Sequence, residues 1–185
     1  FTNRYYKYKR YLLWDIHTRL NRIEPDYSKV PKNSMPVLIN NFNRLDLLKQ
    51  QIDWLLQLDD PVSIIIVDNQ STYPPLLKYY KEITHPNVQV VLLDFNSWRK
   101  GVEYIGKKKL PGFDKFIITD SDLLPFEDTP KNLISHLSSL LDRHPRYNHI
   151  GTSLAIDDLP DHNPMKNTII KYESQFWPPL AKNIN

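Results

Sequence analysis

The chain has 185 residues with 15 Pro, 4 Gly and no Cys, a length that makes one domain of ordinary size and a composition that excludes a disulfide scaffold and a zinc–thiolate site. At 41% apolar and 24% charged it can fill a core, which argues against wholesale disorder, and its longest apolar runs, such as Ile64-Ile65-Ile66-Val67, fall well short of the roughly 18 residues of a membrane span. The formal charge of +3 is uneven: residues 1–34 carry eight Lys/Arg against three Asp/Glu, and the other residues sixteen against eighteen.

The basic segment comes first. Arg4, Lys7, Lys9 and Arg10 interleave with Tyr5, Tyr6, Tyr8 and Tyr11, which suits an anionic surface such as a membrane or a nucleic acid. The plainer reading is an amphipathic helix over about residues 4–23 that lays Tyr8, Leu12 and Ile16 on the domain. Residues 1–34 are therefore expected to form a basic aromatic arm, with peripheral membrane contact through residues 1–22, and residues 35–185 the main domain.

After a connector from Pro25 to Pro36, short apolar runs alternate with helical patterns. The runs are Val37 to Ile39, Ser63 to Val67, Val88 to Leu93, Phe116 to Ile118 and Ile150 to Ile156, rich in β-branched residues and ending in polar ones, as buried strands do. Arg44 to Leu58 sets Leu47, Leu48, Ile52, Leu55 and Leu56 on one helical face. Pro74 to Ile83 begins with prolines in its first turn, and Lys131 to Leu141 follows Thr129-Pro130 as a start signal. This order predicts an α/β fold, a mostly parallel, Rossmann-like central sheet with helices on both faces, preceded by the helical arm.

Such sheets bind ligands at the carboxyl ends of their strands. There the sequence offers Asn40 to Arg44, Asp68 to Thr72, Asp94 to Arg99 and Asp120-Ser121-Asp122. A dinucleotide site needs a Gly-rich first turn, and a P-loop needs Gly-x4-Gly-Lys-Ser/Thr. Neither is present, so a phosphate here needs another partner. Asp120 and Asp122, two apart in an extended segment, point to one side, and two carboxylates with phosphate oxygens and water suit Mg²⁺ or Mn²⁺. An Asp-x-Asp triplet is otherwise a common solvated turn, and only its place after an apolar run raises its weight. Asp68 follows another buried run, where a carboxylate accepts from a nucleobase ring N–H or a ribose hydroxyl, or else caps the turn at Ser71-Thr72. Asn43 is expected to cap the following helix, with Asp46 completing a capping box.

Pro36 to Arg44, then Ile65 to Thr72, then Asp120-Ser121-Asp122 resemble the three signatures of GT-A-fold glycosyltransferases of the family 2 kind: a first strand ending in Tyr/Phe-Asn-Arg, a Val-Asp-Asp/Asn-x-Ser-Thr turn, and a DxD triplet. The resemblance spans residues 35 to 125. It implies that Asn41, Phe42, Asn43 and Asp68 hold a nucleoside, that Arg99 or Lys100 approaches a diphosphate, and that Asp120 and Asp122 hold ribose and metal. The family's Asp after Ser-Thr is Tyr73 here, and its Asn-x-Gly loop appears loosely as Asn96 with Gly101.

Further along, Asp157, Asp158, Asp161 and His162 follow the fifth run. An inverting transferase needs a carboxylate to take the acceptor's proton, and Asp158 is the first candidate, with Asp157 and Glu173 in reserve. The plainer reading is a capped loop leading into a helix from Pro164 to Trp177, with the base beyond Asn185. The expected activity is metal-dependent, inverting transfer of a sugar from a nucleotide diphosphate sugar, UDP-sugar favoured, to a saccharide or lipid-linked acceptor. The expected location is the cytoplasm at a membrane surface, or the Golgi lumen in a eukaryote. A sugar nucleotidyltransferase is the alternative enzyme, but it wants a Gly-rich, basic first loop. A non-catalytic carbohydrate- or nucleotide-binding module is the alternative outside enzymes, and the acidic strand-end rim disfavours nucleic acid.

Overall fold

The computed structural model describes residues 15–110 and 112–177, in a chain that divides into two compact units after Ser138. The expectations for Tyr5, Tyr6, Tyr8, Tyr11 and Leu12 lie outside the described residues. In the first unit, helix α1 covers 15–20 among the described residues and a short 3-10 turn covers Tyr27–Lys29. Then come β1 (Met35–Asn41), α2 (Asp46–Leu55), β2 (Val62–Asp68), α3 (Pro74–Glu82), β3 (Val88–Leu92), α4 (Lys100–Lys108) and β4 (Ile117–Asp120). Helix α5 (Leu133–Arg143) contains the point of division. No helix among the described residues is long and apolar enough to cross a membrane.

The four strands are parallel in the order β3-β2-β1-β4. β1 and β2 are central, which is why they are almost wholly apolar and buried rather than alternating. Alternate residues still feed two separate cores. Val37, Ile39, Ile64 and Ile66 meet Leu48, Ile52 and Leu55 of α2, Leu76 of α3 and Ile134 of α5 on one face. Leu38, Ile65 and Val67 meet Val102 and Ile105 of α4 and Leu20 of α1 on the other. The expected parallel sheet with helices on both faces is thus what the chain builds.

Several expectations are corrected. Residues 15–34 belong to the first unit: Leu20 and Val30 are buried in the second of these cores, with Ile16 half-buried against it. Gln89 of β3 also grips the backbone of Asp26, accepting from its N at 2.9 Å and donating to its O at 3.1 Å. The guanidinium of Arg19 pairs with Asp94 at 3.0 Å and stacks 4.1 Å above the Phe95 ring. The chain divides after Ser138, and residues 15–34 group with the first unit.

Two of the nine residues of the third crossover helix, α4, are glycines, buried on the same side of the helix as Val102 and Ile105. Both are there for close approach. A Cβ on Gly101 would lie 2.6 Å from Ser97 Oγ and 3.3 Å from the Val67 side chain, and one on Gly106 would strike the Phe116 ring.

The second unit holds the end of α5, helix α6 (Lys166–Glu173) and a 3-10 turn (Ser174–Phe176), shorter than the helix expected from Pro164 to Trp177. Ile150 to Ile156 is not a strand. Gly151 and Thr152 are exposed, Ile150 and Leu154 are over one-third exposed, and the segment's bonds are to an aromatic tail: Trp177 Nε1 donates to Leu154 O and Ser153 Oγ to Phe176 O, both at 2.9 Å.

Candidate functional site

The direction of strand addition reverses at β1: β2 and β3 extend the sheet to one side and β4 is laid on the other. In open parallel sheets the crevice above such a reversal is where ligands bind. Here the two strand ends that flank it deliver Asn40 and Asp120, which are paired neighbours in the sheet. Asn40 Nδ2 donates to Asp120 Oδ1 at 2.9 Å, and among the described residues Oδ2 takes no hydrogen bond.

The acidic turn is tied down from beneath. Gln51 of α2, 4% exposed, directs Nε2 at Asp120 O (2.9 Å), Leu123 O (2.8 Å) and Thr119 Oγ1 (3.2 Å). An NH₂ group has two hydrogens for these three acceptors. Asp122, exposed at the rim, faces the guanidinium of Arg44 at 3.4 Å. Asp120 and Asp122 thus lie on one short turn, one steadied by an amide and the other already facing a cation. Both observations fit the chemistry of a divalent-cation site. No group of three or more His, Asp or Glu able to hold a metal occurs among the described residues.

Asp68 lies on the opposite face of the sheet, with the residues that pack on α2 and α3. It is 1% exposed. Its Oδ1 accepts from Ser71 N at 2.7 Å, and Oδ2 from Ser71 Oγ at 2.5 Å and Tyr80 OH at 2.8 Å. This is the turn-capping alternative realised, with a helix tyrosine added. Asn41, also 1% exposed, donates to Tyr80 OH at 2.7 Å, and its Oδ1 is buried without a partner among the described residues. Burial, foremost, and the adjacent Asp68 carboxylate push the Tyr80 phenol far above its ordinary value, so it is a neutral donor at every physiological pH.

Asn43 is not the cap of α2, which starts behind Leu45 without a side-chain cap. It takes a left-handed backbone (φ 54°) and reaches across to the next crossover, where its Oδ1 accepts from Thr72 N at 2.7 Å and Tyr73 N at 2.9 Å, satisfying amides at the start of α3. Phe42 beside it is about half exposed, at 48%. Arg99 is bound along its own helix to Glu103 at 2.8 Å, and Lys100, the first residue of α4, is exposed. Asp157 and Asp158 form an exposed bend and Glu173 closes α6, all in the second unit.

Two buried residues inside the strand-end segments, given no role of their own in the sequence analysis, lie behind Asn40. Asn69 Nδ2 donates to Asn40 Oδ1 at 2.7 Å, and Asn69 Oδ1 accepts from Ser97 N at 3.0 Å and Ser97 Oγ at 2.8 Å. Ser97 Oγ in turn accepts from Gly101 N at 3.0 Å. A separate cleft of about 450 Å³ opens at the other end of the sheet, beside Met35, Pro36 and Pro61, away from these strand ends.

No family model matches the chain, and no curated protein does. Solved structures are similar to it. They include the mannosyltransferase PcManGT from Pyrobaculum calidifontis in complex with GDP-Man and Mn²⁺, at 18% identity and TM-score 0.48 over 76% of this chain and 41% of that one. TarS of S. aureus is similar at 17% identity and TM-score 0.47 over 65% and 24%, and its 1–349 fragment with UDP-GlcNAc at 16% and 0.46 over 68% and 38%. The chain spans about a quarter to two-fifths of the length of these structures, and likenesses of this size carry no argument about activity.

Proposed function

We propose that the first unit binds a nucleotide diphosphate sugar above the β1–β4 junction and that the protein is a GT-A-type glycosyltransferase. The observation that carries this reading is the Asp120–Asp122 turn at the reversal point of the sheet, held by Asn40, Gln51 and Arg44. Asp120 and Asp122 would hold Mn²⁺ or Mg²⁺. When bound, such a cation neutralises a departing nucleotide diphosphate. The chain's own residues then have three tasks: Asn40 and Gln51 hold the acidic turn, Phe42 and Asn43 border the nucleoside, and Lys100 offers charge to the diphosphate. The base is assigned to the second unit, Asp158 first and Asp157 or Glu173 after it, or to a residue beyond them. It takes the proton of a saccharide or lipid-linked hydroxyl as the sugar inverts.

UDP titrated with and without Mn²⁺ tests the reading, followed by UDP- and GDP-sugars, the donor classes bound by the similar structures. With Asp120 and Asp122 as its proposed carboxylate ligands, Mn²⁺ alone should bind weakly and UDP should tighten it. Asp122→Ala should abolish the Mn²⁺-dependent part of UDP binding while melting like the parent. UDP binding that is indifferent to chelator would overturn the assignment.

A further inference from the structure

We propose that Asn69 is a positioning residue that sets the direction of the Asn40 side chain and, through it, the hydrogen bond that fixes Asp120. The argument begins at a group whose polarity is not open to choice. A backbone N–H only donates, so Ser97 N at 3.0 Å requires Asn69 to present its carbonyl oxygen on that side. The Ser97 hydroxyl, at 2.8 Å from the same oxygen, agrees. The Asn69 NH₂ must then face the other way, where it meets two acceptors, Asn40 Oδ1 at 2.7 Å and Asn41 O at 3.4 Å. With its oxygen claimed, Asn40 has only its NH₂ to turn toward Asp120, which it does at 2.9 Å.

Each amide is oriented by the one before it, from the start of α4 to the acidic turn. Asn69 is 2% exposed and Ser97 1% exposed, so water does not compete along the inner half of the relay. Asn40 is half-buried and Asp120 exposed, so the relay ends at the surface. Its consequence for the cation rests on the function proposed above: one oxygen of Asp120 is occupied and steady, and the other is left for a ligand. Partners that orient a metal-binding carboxylate typically matter about tenfold or more in metal affinity.

Asn69→Asp reverses the relay without removing it. The new carboxylate still accepts from Ser97, but it can no longer donate to Asn40. Asn40 then turns its NH₂ to residue 69 and its oxygen to Asp120, replacing attraction by lone-pair repulsion. Two measurements on the whole chain read this out. The first is the ¹H–¹⁵N spectrum of the Asn40 side-chain amide without ligand, which a merely space-filling role for Asn69 would leave in place. The second is the affinity for Mn²⁺ in the presence of UDP for Asn69→Asp, Asn40→Ala and the double variant. The expected result is a displaced Asn40 amide in Asn69→Asp, a loss of about tenfold in Mn²⁺ affinity for each single variant, and no further loss in the double. An unmoved Asn40 amide, or losses that multiply in the double variant, would overturn the proposal. If the parent shows no Mn²⁺ binding with UDP while the Asn40 amide moves, the relay stands and the donor reading fails. Should Asn69→Asp not fold, Asn69→Ser, too short to reach Asn40, decides by the same spectrum: a displaced amide supports the relay and an unchanged one overturns it.

Discussion

The strand-end rim has two sides that differ in kind. On the α3 side, Asp68, Asn41, Ser71 and Tyr80 form a closed cluster in which the carboxylate is fully engaged by the fold and all but shut off from water. On the α4 side, Asn69 and Ser97 are equally buried, yet they lead outward to Asn40 and the exposed Asp120. Both sides use short polar residues after a hydrophobic strand. One spends its hydrogen bonds on itself and the other directs them at solvent. An Asp at the end of a strand is therefore no evidence for a binding role until the occupancy of its oxygens is known.

The largest effect that sharpens this contrast is on stability. Asp68→Ala leaves the Ser71 amide and the Tyr80 hydroxyl buried without an acceptor and should cost about 3 kcal/mol, whereas Asp120→Ala at the exposed rim should stay within about 0.5 kcal/mol. Urea unfolding of both variants measures the difference, and equal midpoints would erase the distinction between the two sides. If instead Asp68 reads a nucleobase, Asp68→Asn should change the preference among nucleotides, and unchanged discrimination would leave it a turn residue only.

The next effect is in alkali. The folded-state value of Tyr80 lies above the ordinary tyrosine value of 10.0, so the folded protein holds this proton more tightly than the unfolded chain. Its contribution is intact below pH 10 and is lost as pH rises beyond it, with a slope of up to about 1.4 kcal/mol per pH unit. Tyr80→Phe should flatten this dependence. A slope that survives the substitution would mean that the closed cluster is not what limits alkaline stability.

The smallest effect joins the first two crossovers. Asn43→Ala removes the acceptor for Thr72 N and Tyr73 N and places alanine at φ 54°, so a loss of about 1–2 kcal/mol is expected in thermal unfolding. A variant as stable as the parent would show that the start of α3 needs no help from the first loop.

Much of this architecture is legible in the sequence because β1 and β2 contain the apolar runs Val37 to Ile39 and Ile64 to Val67, and because Leu48, Ile52 and Leu55 recur at helical spacing. The rest fails for identifiable reasons. Asn43 looks like a cap for the helix that follows it, because capping logic is local, while its real partners are 29 and 30 residues away. Ile150 to Ile156 has a strand's composition but is not a strand, and its Ser153 hydroxyl and Leu154 carbonyl bond to Phe176 and Trp177. The Asn40–Asp120 contact joins residues 80 apart and follows only from the register of β1 on β4, which no single window of sequence contains. Asp120 and Asp122 were recognisable from their position after an apolar run, but the amide relay behind them was not.

Gly101 and Gly106 give the α4 side a mechanical property that the α3 side lacks. At these two positions the helix backbone lies directly against the Val67 and Phe116 side chains, beside the buried Val102 and Ile105, so the closeness of helix to sheet depends on the absence of two side chains. Its first turn also carries the amide that bonds Ser97. Anything that lifts the helix by the thickness of a methyl group therefore draws on the first link of the chain of amides ending at Asp120. A change of packing in the hydrophobic interior would be transmitted to the surface as a change of geometry, with no residue of the rim altered. The interior of this half of the molecule acts as a spacer whose thickness calibrates the rim, and sequence drift there is constrained by more than the need to fill space.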